Sequence, residues 1–284
     1  MRGWLSILLA RSKLKGDNIM NIFNLKNGTH LFLISTLTLG IIMNTASAKD
    51  GKPTIVLVHG AFAESSSWNG VITKLFTKGY PVIAAANPMR GAKSDAAYID
   101  GLLKSINGPI VLVGHSYGGS VITNAAHDNK NVKALVYVSG FAPDEGETPS
   151  ELSGHYPGST LGPTLAPAVI LADGSKELYI KQEKFHAQFA ADVSSADAKL
   201  MAATQRPINE AAFNEPSGKP SWKHIPSWFI YGISDRNIPA KVADFMAKRA
   251  GAKEIVAVKG ASHVVMISHP SVVAQIIEHA AKAN

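Results

Sequence analysis

Cysteine is absent from all 284 positions. That excludes disulfides, thiolate metal ligands and cysteine nucleophiles together, and leaves a chain able to fold in an oxidising compartment. Charge is sparse too, at 17% of residues, and unevenly placed. Residues 1–48 hold five of the 28 basic and one of the 21 acidic residues, so the formal +7 falls to +3 beyond Ala48. This mild excess forms no basic cluster, so neither a nucleic-acid partner nor an anionic membrane surface is expected. No repeat or low-complexity tract interrupts the chain.

The first 48 residues are set apart by their pattern. From Met20, Lys26 supplies a positive n-region, Leu31 to Met43 an apolar stretch, and Ala46-Ser47-Ala48 an A-x-A site. These are the parts of a secretory signal peptide, and the run is shorter than the ~20 apolar residues of a membrane span. Met20 is the expected start, cleavage is expected after Ala48, and the product is expected to be periplasmic or secreted, with no stable membrane association.

Residues 49–284 are long enough for one large α/β domain. Short apolar runs occur at 54–60, 80–86, 109–115, 132–140, 226–232 and 253–260. Several are apolar on consecutive residues, which suits strands covered on both faces. Segments of helical spacing lie between and after them, at 66–78, 93–106, 118–127, 239–250 and 270–282. The alternation predicts a doubly wound, mostly parallel sheet. From about 142 to 225 no strand is evident, and helical stretches are expected near 175–190 and 194–204. An inserted helical cap is the expected arrangement, because a structureless loop of that length is rare.

The stretch "IVLVGHSYGG", residues 110–119, carries the chemistry. A strand running into G-x-S-x-G and then a helix is a nucleophile elbow, with Ser116 at its apex. Gly114 and Gly118 stand where side chains would collide with neighbouring strand and helix. The amide of Tyr117, at the helix N-terminus, is aimed to donate to a developing oxyanion. A serine hydroxyl needs a base, and the base an orienting acid, in the chain order serine, acid, histidine. "VKGASHVVMISHP" offers His263, in a small-residue turn after the last strand, and His269, which adjoins a helix start and reads as a capping residue. For the acid, "WFIYGISDRNIP" offers Asp235, with Asp144 after "VSGFAP" as the rival. The second oxyanion donor is expected from "LVHGAFAESSSW", at Ala61 first and Phe62 second. His59 reads as support for that loop. Phe62, Trp68, Tyr117, Phe141, Phe185, Phe189 and Gln205 are candidate pocket residues.

With "VLVHGAF", "VGHSYGG", "GISDRNIP" and "GASHVVMISHP", the chain beyond Ala48 resembles the α/β-hydrolase superfamily. More narrowly, "NPMRG" and "VKALVYVSGFAPDEGE" are similar to a bacterial esterase group related to plant methylesterases and hydroxynitrile lyases. The resemblance implies a cofactor-free serine hydrolase acting on a small-molecule ester through an acyl-enzyme. Ser116 is then nucleophile, Asp235 acid, His263 base, and Ala61 and Tyr117 oxyanion donors. Cyanohydrin-cleaving relatives carry a lysine after the histidine, where this chain has Val264. Perhydrolase or lyase chemistry on the same residues, and a ligand-binding protein with a residual triad, are the alternatives.

Overall fold

Every apolar run picked out beyond residue 48 becomes a strand of one sheet, and the expected helices fall between and after them. The computed structural model describes residues 51–283; the signal-peptide reading of 1–48 lies outside them. β1 (Thr54–Val58) leads through a 3-10 turn at Ser65–Trp68 into α1 (Asn69–Thr77). β2 (Val82–Ala85), α2 (Ala92–Lys104), β3 (Ile110–His115), α3 (Tyr117–Ala125) and β4 (Val132–Val138) follow. The inserted segment holds α4 (Pro149–Gly154), β5 (Val169–Ile170), β6 (Lys176–Leu178), α5 (Gln182–Phe189), α6 (Ser195–Thr204), β7 (Ile208–Asn209) and α7 (Glu210–Asn214). The main unit resumes with β8 (Ser227–Gly232), α8 (Ala240–Arg249), β9 (Glu254–Val258), α9 (Val265–Ser268) and α10 (Pro270–Lys282).

The six long strands form a parallel sheet in the order β2-β1-β3-β4-β8-β9. β3 is central, with Val111 between Ile55 of β1 and Ala134 of β4. All six of its residues are buried, so helices must cover both faces. Each of its apolar side chains contributes roughly 2 kcal/mol by leaving water. At the edge, β9 alternates between exposed and half-buried residues. The uniform burial of β3 and its neighbours delivers Ser116, one residue past β3, to a rigid position.

The inserted segment departs from the all-helical expectation. β5, β6 and β7 make a small antiparallel sheet, and the helix expected from 175 begins only at Gln182. Strands of two or three residues are too short for alternation to register. The turn between β5 and β6 contains Asp173-Gly174, with Gly174 at φ +82°, a recognised hairpin signal. The cap is tied down by backbone bonds, from the Phe62 amide to the Arg206 carbonyl at 2.9 Å and from the Asn209 amide to the Met89 carbonyl at 3.0 Å. The Ser262 hydroxyl, beside His263, also donates to the carboxylate of Asp192 between α5 and α6.

Candidate active site

Ser116 lies between β3 and α3 with φ 54° and ψ −126°, a combination that costs an L-residue roughly 1–3 kcal/mol and persists only where the surroundings enforce it. Those surroundings are glycines. A Cβ on Gly114 would stand 2.6 Å from the Gly118 carbonyl oxygen, and one on Gly118 2.5 Å from the Val58 carbonyl oxygen. Gly60 serves close approach rather than turning, since a Cβ there would lie 2.5 Å from the Ser116 Cβ. Strand β1, its following loop and the elbow are packed backbone to backbone.

Three loops from distant parts of the chain converge on the serine. Its Oγ is 2.9 Å from Nε2 of His263, and Nδ1 of His263 is 2.7 Å from Oδ2 of Asp235. The other Asp235 oxygen accepts the amides of Asn237 at 2.7 Å and Ile238 at 3.0 Å, fixing the turn that leads to α8. Asp235 therefore shapes its own loop and orients the histidine. Since a carboxylate accepts, His263 carries its proton on Nδ1, leaving Nε2 to accept from the serine. All three side chains are buried. The rival Asp144 is bound instead by Lys223 at 2.5 Å. Partial burial would raise its pKa, but the Lys223 hydrogen bond and charge hold it below the ordinary range.

The proposed oxyanion donors are arranged unequally. The Phe62 amide is spent on the Arg206 carbonyl, whereas Tyr117 stands at the first position of α3. First-turn amides of a helix have no partner within it. His59 braces the same loop. Its Nε2 accepts the Asn87 amide at 3.1 Å, its Nδ1–H donates to the Gly60 carbonyl at 3.1 Å, and the Asn87 side-chain amide donates to the His59 carbonyl at 2.9 Å. His115 points away from the cavity, donating through Nε2 to the His263 carbonyl at 3.2 Å. His269 lies near Asp192, at 3.6 Å, at the start of α10.

Burial holds the His59 imidazole down from 6.5 to about 4, outweighing the stabilising bond to Gly60. Burial does the same to His115, helped by the adjacent His263 ring. The unfolded chain takes up a proton near pH 6.5 that folded His59 refuses until about 4. Stability is therefore retained above 6.5 and falls as pH drops through that window, by up to about 3 kcal/mol from His59. Thermal melts from pH 7 to 4.5 should show this decline, and a shallower one in His59→Gln. An equally steep decline in that variant would exclude His59 as a source.

A cavity of about 390 Å³ opens over the serine. Phe62, Phe141 and His263 line it from the main unit, while Leu161, Leu165, Leu178, Phe189 and Phe213 come from the cap. Four expected pocket residues are elsewhere. Phe185 is fully buried behind Phe189, their rings 4.9 Å apart. Gln205 uses its amide to hold the Ile180 backbone, at 2.8 and 2.9 Å, and faces a neighbouring cleft. Trp68 is core, edge-on to His115, and the Tyr117 ring is buried outside the lining. The sequence reading missed Ser150, Ser153, Glu210 and Asn214, which add a polar side to the cavity. Glu210 and Asn214 lie on the five-residue α7, and β7 before it has two residues, so no periodic signal marked that stretch.

Residues 55–276 match the alpha/beta hydrolase family, and the chain belongs to it. Among curated proteins, it is 24% identical to "Alpha/beta hydrolase nvfD" of Aspergillus novofumigatus over 251 residues, 81% of this chain and 97% of that one. It is 23% identical over 241 residues to the "Alpha-hydroxynitrile lyase" of Arabidopsis thaliana, covering 77% and 93% of the two chains. Among solved structures, that of polyneuridine aldehyde esterase superposes with a TM-score of 0.70 at 17% identity, over 81% of this chain and 99% of the other.

Proposed function

We propose that the protein is a carboxylic-ester hydrolase working through an acyl-enzyme. The observation that carries this reading is the unbroken relay from Asp235 to His263 to Ser116, at 2.7 and 2.9 Å, opening on a cavity with aliphatic and aromatic residues on one side. His263 Nε2 takes the Ser116 proton as Oγ attacks the ester carbonyl. The Ala61 and Tyr117 amides stabilise the tetrahedral oxyanion, and His263 returns the proton to the departing alcohol. Water then attacks the acyl carbon as His263 takes its proton, and His263 passes that proton to Ser116 Oγ as the acyl–Oγ bond breaks and the acid leaves. The buried Asp235 steadies the imidazolium in both halves.

Small or medium acyl and aryl esters fit the proposed site, because one side of it is aliphatic and aromatic, the other is polar, and its size is at the lower end for ligand pockets. Across p-nitrophenyl acetate to decanoate, kcat/KM is expected to peak at butyrate or hexanoate and to fall at least about tenfold by decanoate, on the order of 1–3 kcal/mol for a misfitting pocket. A rising series with decanoate best would point to a lipase-like acyl site instead. The presence of Val264 in place of a cation after His263 weighs against cyanohydrin cleavage. Export is proposed from the pattern at 20–48; a full-length tagged chain should appear outside the cytoplasm with Lys49 at its N-terminus, and retention with Met1 or Met20 intact would refute it.

A further inference from the structure

Tyr117 donates only its backbone amide to the chemistry proposed above, on which this inference rests. Its side chain does something else. The ring is fully buried, and its hydroxyl donates to Oδ2 of Asp95 at 2.8 Å. Asp95 stands in the first turn of α2 and is itself fully buried. Both its oxygens accept the Arg90 amide at 3.1 Å. Burial pushes its carboxyl up from the ordinary range, and these hydrogen bonds pull against that. A carboxylate removed from water costs several kcal/mol unless its partners are in place. Capping α2 would need only an exposed aspartate, so a buried one reaching α3 calls for another reason.

The pair also connects to the cap. The Arg90 guanidinium, next to the amide that Asp95 accepts, is ion-paired with Glu177 of β6. Met89, at φ 65°, accepts the Asn209 amide of β7 at 3.0 Å. From α7, the Phe213 ring stands edge-on to Tyr117 at 6.4 Å while also lining the cavity. A continuous line of contacts thus runs from the cap strands through residues 89–90 and Asp95 to the first residue of α3. Ser116, immediately before it, has the strained backbone that requires such support.

We propose that Asp95 and the Tyr117 hydroxyl are a positioning pair, which fixes the direction of the Tyr117 amide toward the oxyanion and couples that direction to the seating of the cap. A rigid ring held at Cα by the elbow and at its hydroxyl by Asp95 leaves the first turn of α3 little freedom to tilt. Small displacements matter here, since about 1 Å of misplacement can cost about 100-fold in rate.

The test uses an alkyl fluorophosphonate, followed by intact mass, with ester turnover and melting temperature measured alongside. Ser116 Oγ bonds to phosphorus as fluoride leaves, its proton passing to His263. The phosphoryl oxygen then occupies the oxyanion position, so the labelling rate reads the donors without a known substrate. Tyr117→Phe keeps the ring and should slow labelling about 10-fold, short of the 100-fold or more for loss of a donor. Its kcat should fall by the same factor with KM unmoved. Asp95→Asn, which can still accept from the hydroxyl, should slow labelling less, and the double variant should be no slower than Tyr117→Phe. Labelling and kcat within twofold of wild type in Tyr117→Phe would reduce the pair to packing and overturn the proposal, even if its melting temperature fell. If that variant does not fold, Asp95→Asn decides by the same criterion. A wild type that labels but hydrolyses no ester overturns the ester-hydrolase reading and leaves the labelling ratio to decide the pair. One that does not label overturns both.

Discussion

Replacing Ser116 with alanine is expected to lower kcat on p-nitrophenyl esters by about a million-fold, leaving only what binding and the oxyanion donors supply. The magnitude corresponds to roughly 8 kcal/mol of barrier, because among the described residues the Ser116 hydroxyl is the one bonded to His263 Nε2, at 2.9 Å. The fold should be nearly indifferent to the change. Alanine inherits the φ of 54° and its strain, and one small polar side chain leaves an already tight site. Ser116→Gly should be as inactive but melt higher than Ser116→Ala, by the roughly 1 kcal/mol that glycine saves at such an angle. That ordering would show that the elbow stores strain for the sake of the hydroxyl. Turnover in Ser116→Ala above about 1% of wild type, with contaminating esterases excluded, would sink the acyl-enzyme mechanism.

The inner strands were legible because several carry consecutive apolar residues with no polar face, and a chain can satisfy "TIVLV" and "IVLV" only by covering both sides. The elbow was legible because its glycines answer to backbone collisions that any such turn imposes. Asp235 and His263 could be located by the loops they occupy, since those loops follow the last two apolar runs, which the structure shows as the adjacent strands β8 and β9. The cap resisted for a physical reason. Its longer helices α5 and α6 left a trace in the sequence, but its strands of two or three residues and the short helices α4 and α7 bury too little each to impose a period, and their places are set by contacts with the base, such as Phe62 to Arg206 and Met89 to Asn209. Pocket residues inherit that obscurity. Phe185 and Phe189 share one helix and one chemistry, yet only the second faces the cavity, and Gln205 is diverted by a backbone partner 25 residues earlier in the chain. The link from Tyr117 to Asp95 was invisible for the same reason, being a meeting of two helices whose spacing in sequence carries no motif.

Asp235→Asn is expected to reduce kcat about ten-thousand-fold while leaving the loop intact, and Asp144→Asn to change it less than twofold. The asymmetry follows from where the protons must go. Oδ1 of Asp235 accepts two backbone amides, and an asparagine would keep those bonds by placing its carbonyl oxygen there. Its amide nitrogen must then face His263 Nδ1, now a donor where an acceptor stood. The imidazole is driven to the tautomer with its proton on Nε2, which cannot accept from Ser116. Geometry survives and the direction of the hydrogen bonds reverses, so the melting temperature should fall little while the chemistry fails. Asp144 meets none of these conditions: Lys223 holds it at the edge of the cap, and its neutral replacement forfeits a partly exposed ion pair of about 1 kcal/mol or less. The pair of variants, compared by kcat and by thermal melting, therefore separates an acid that orients a base from one that only fastens a surface. Near-normal turnover in Asp235→Asn with loss in Asp144→Asn would move the acid to β4, and with it the path by which positive charge on His263 is stabilised.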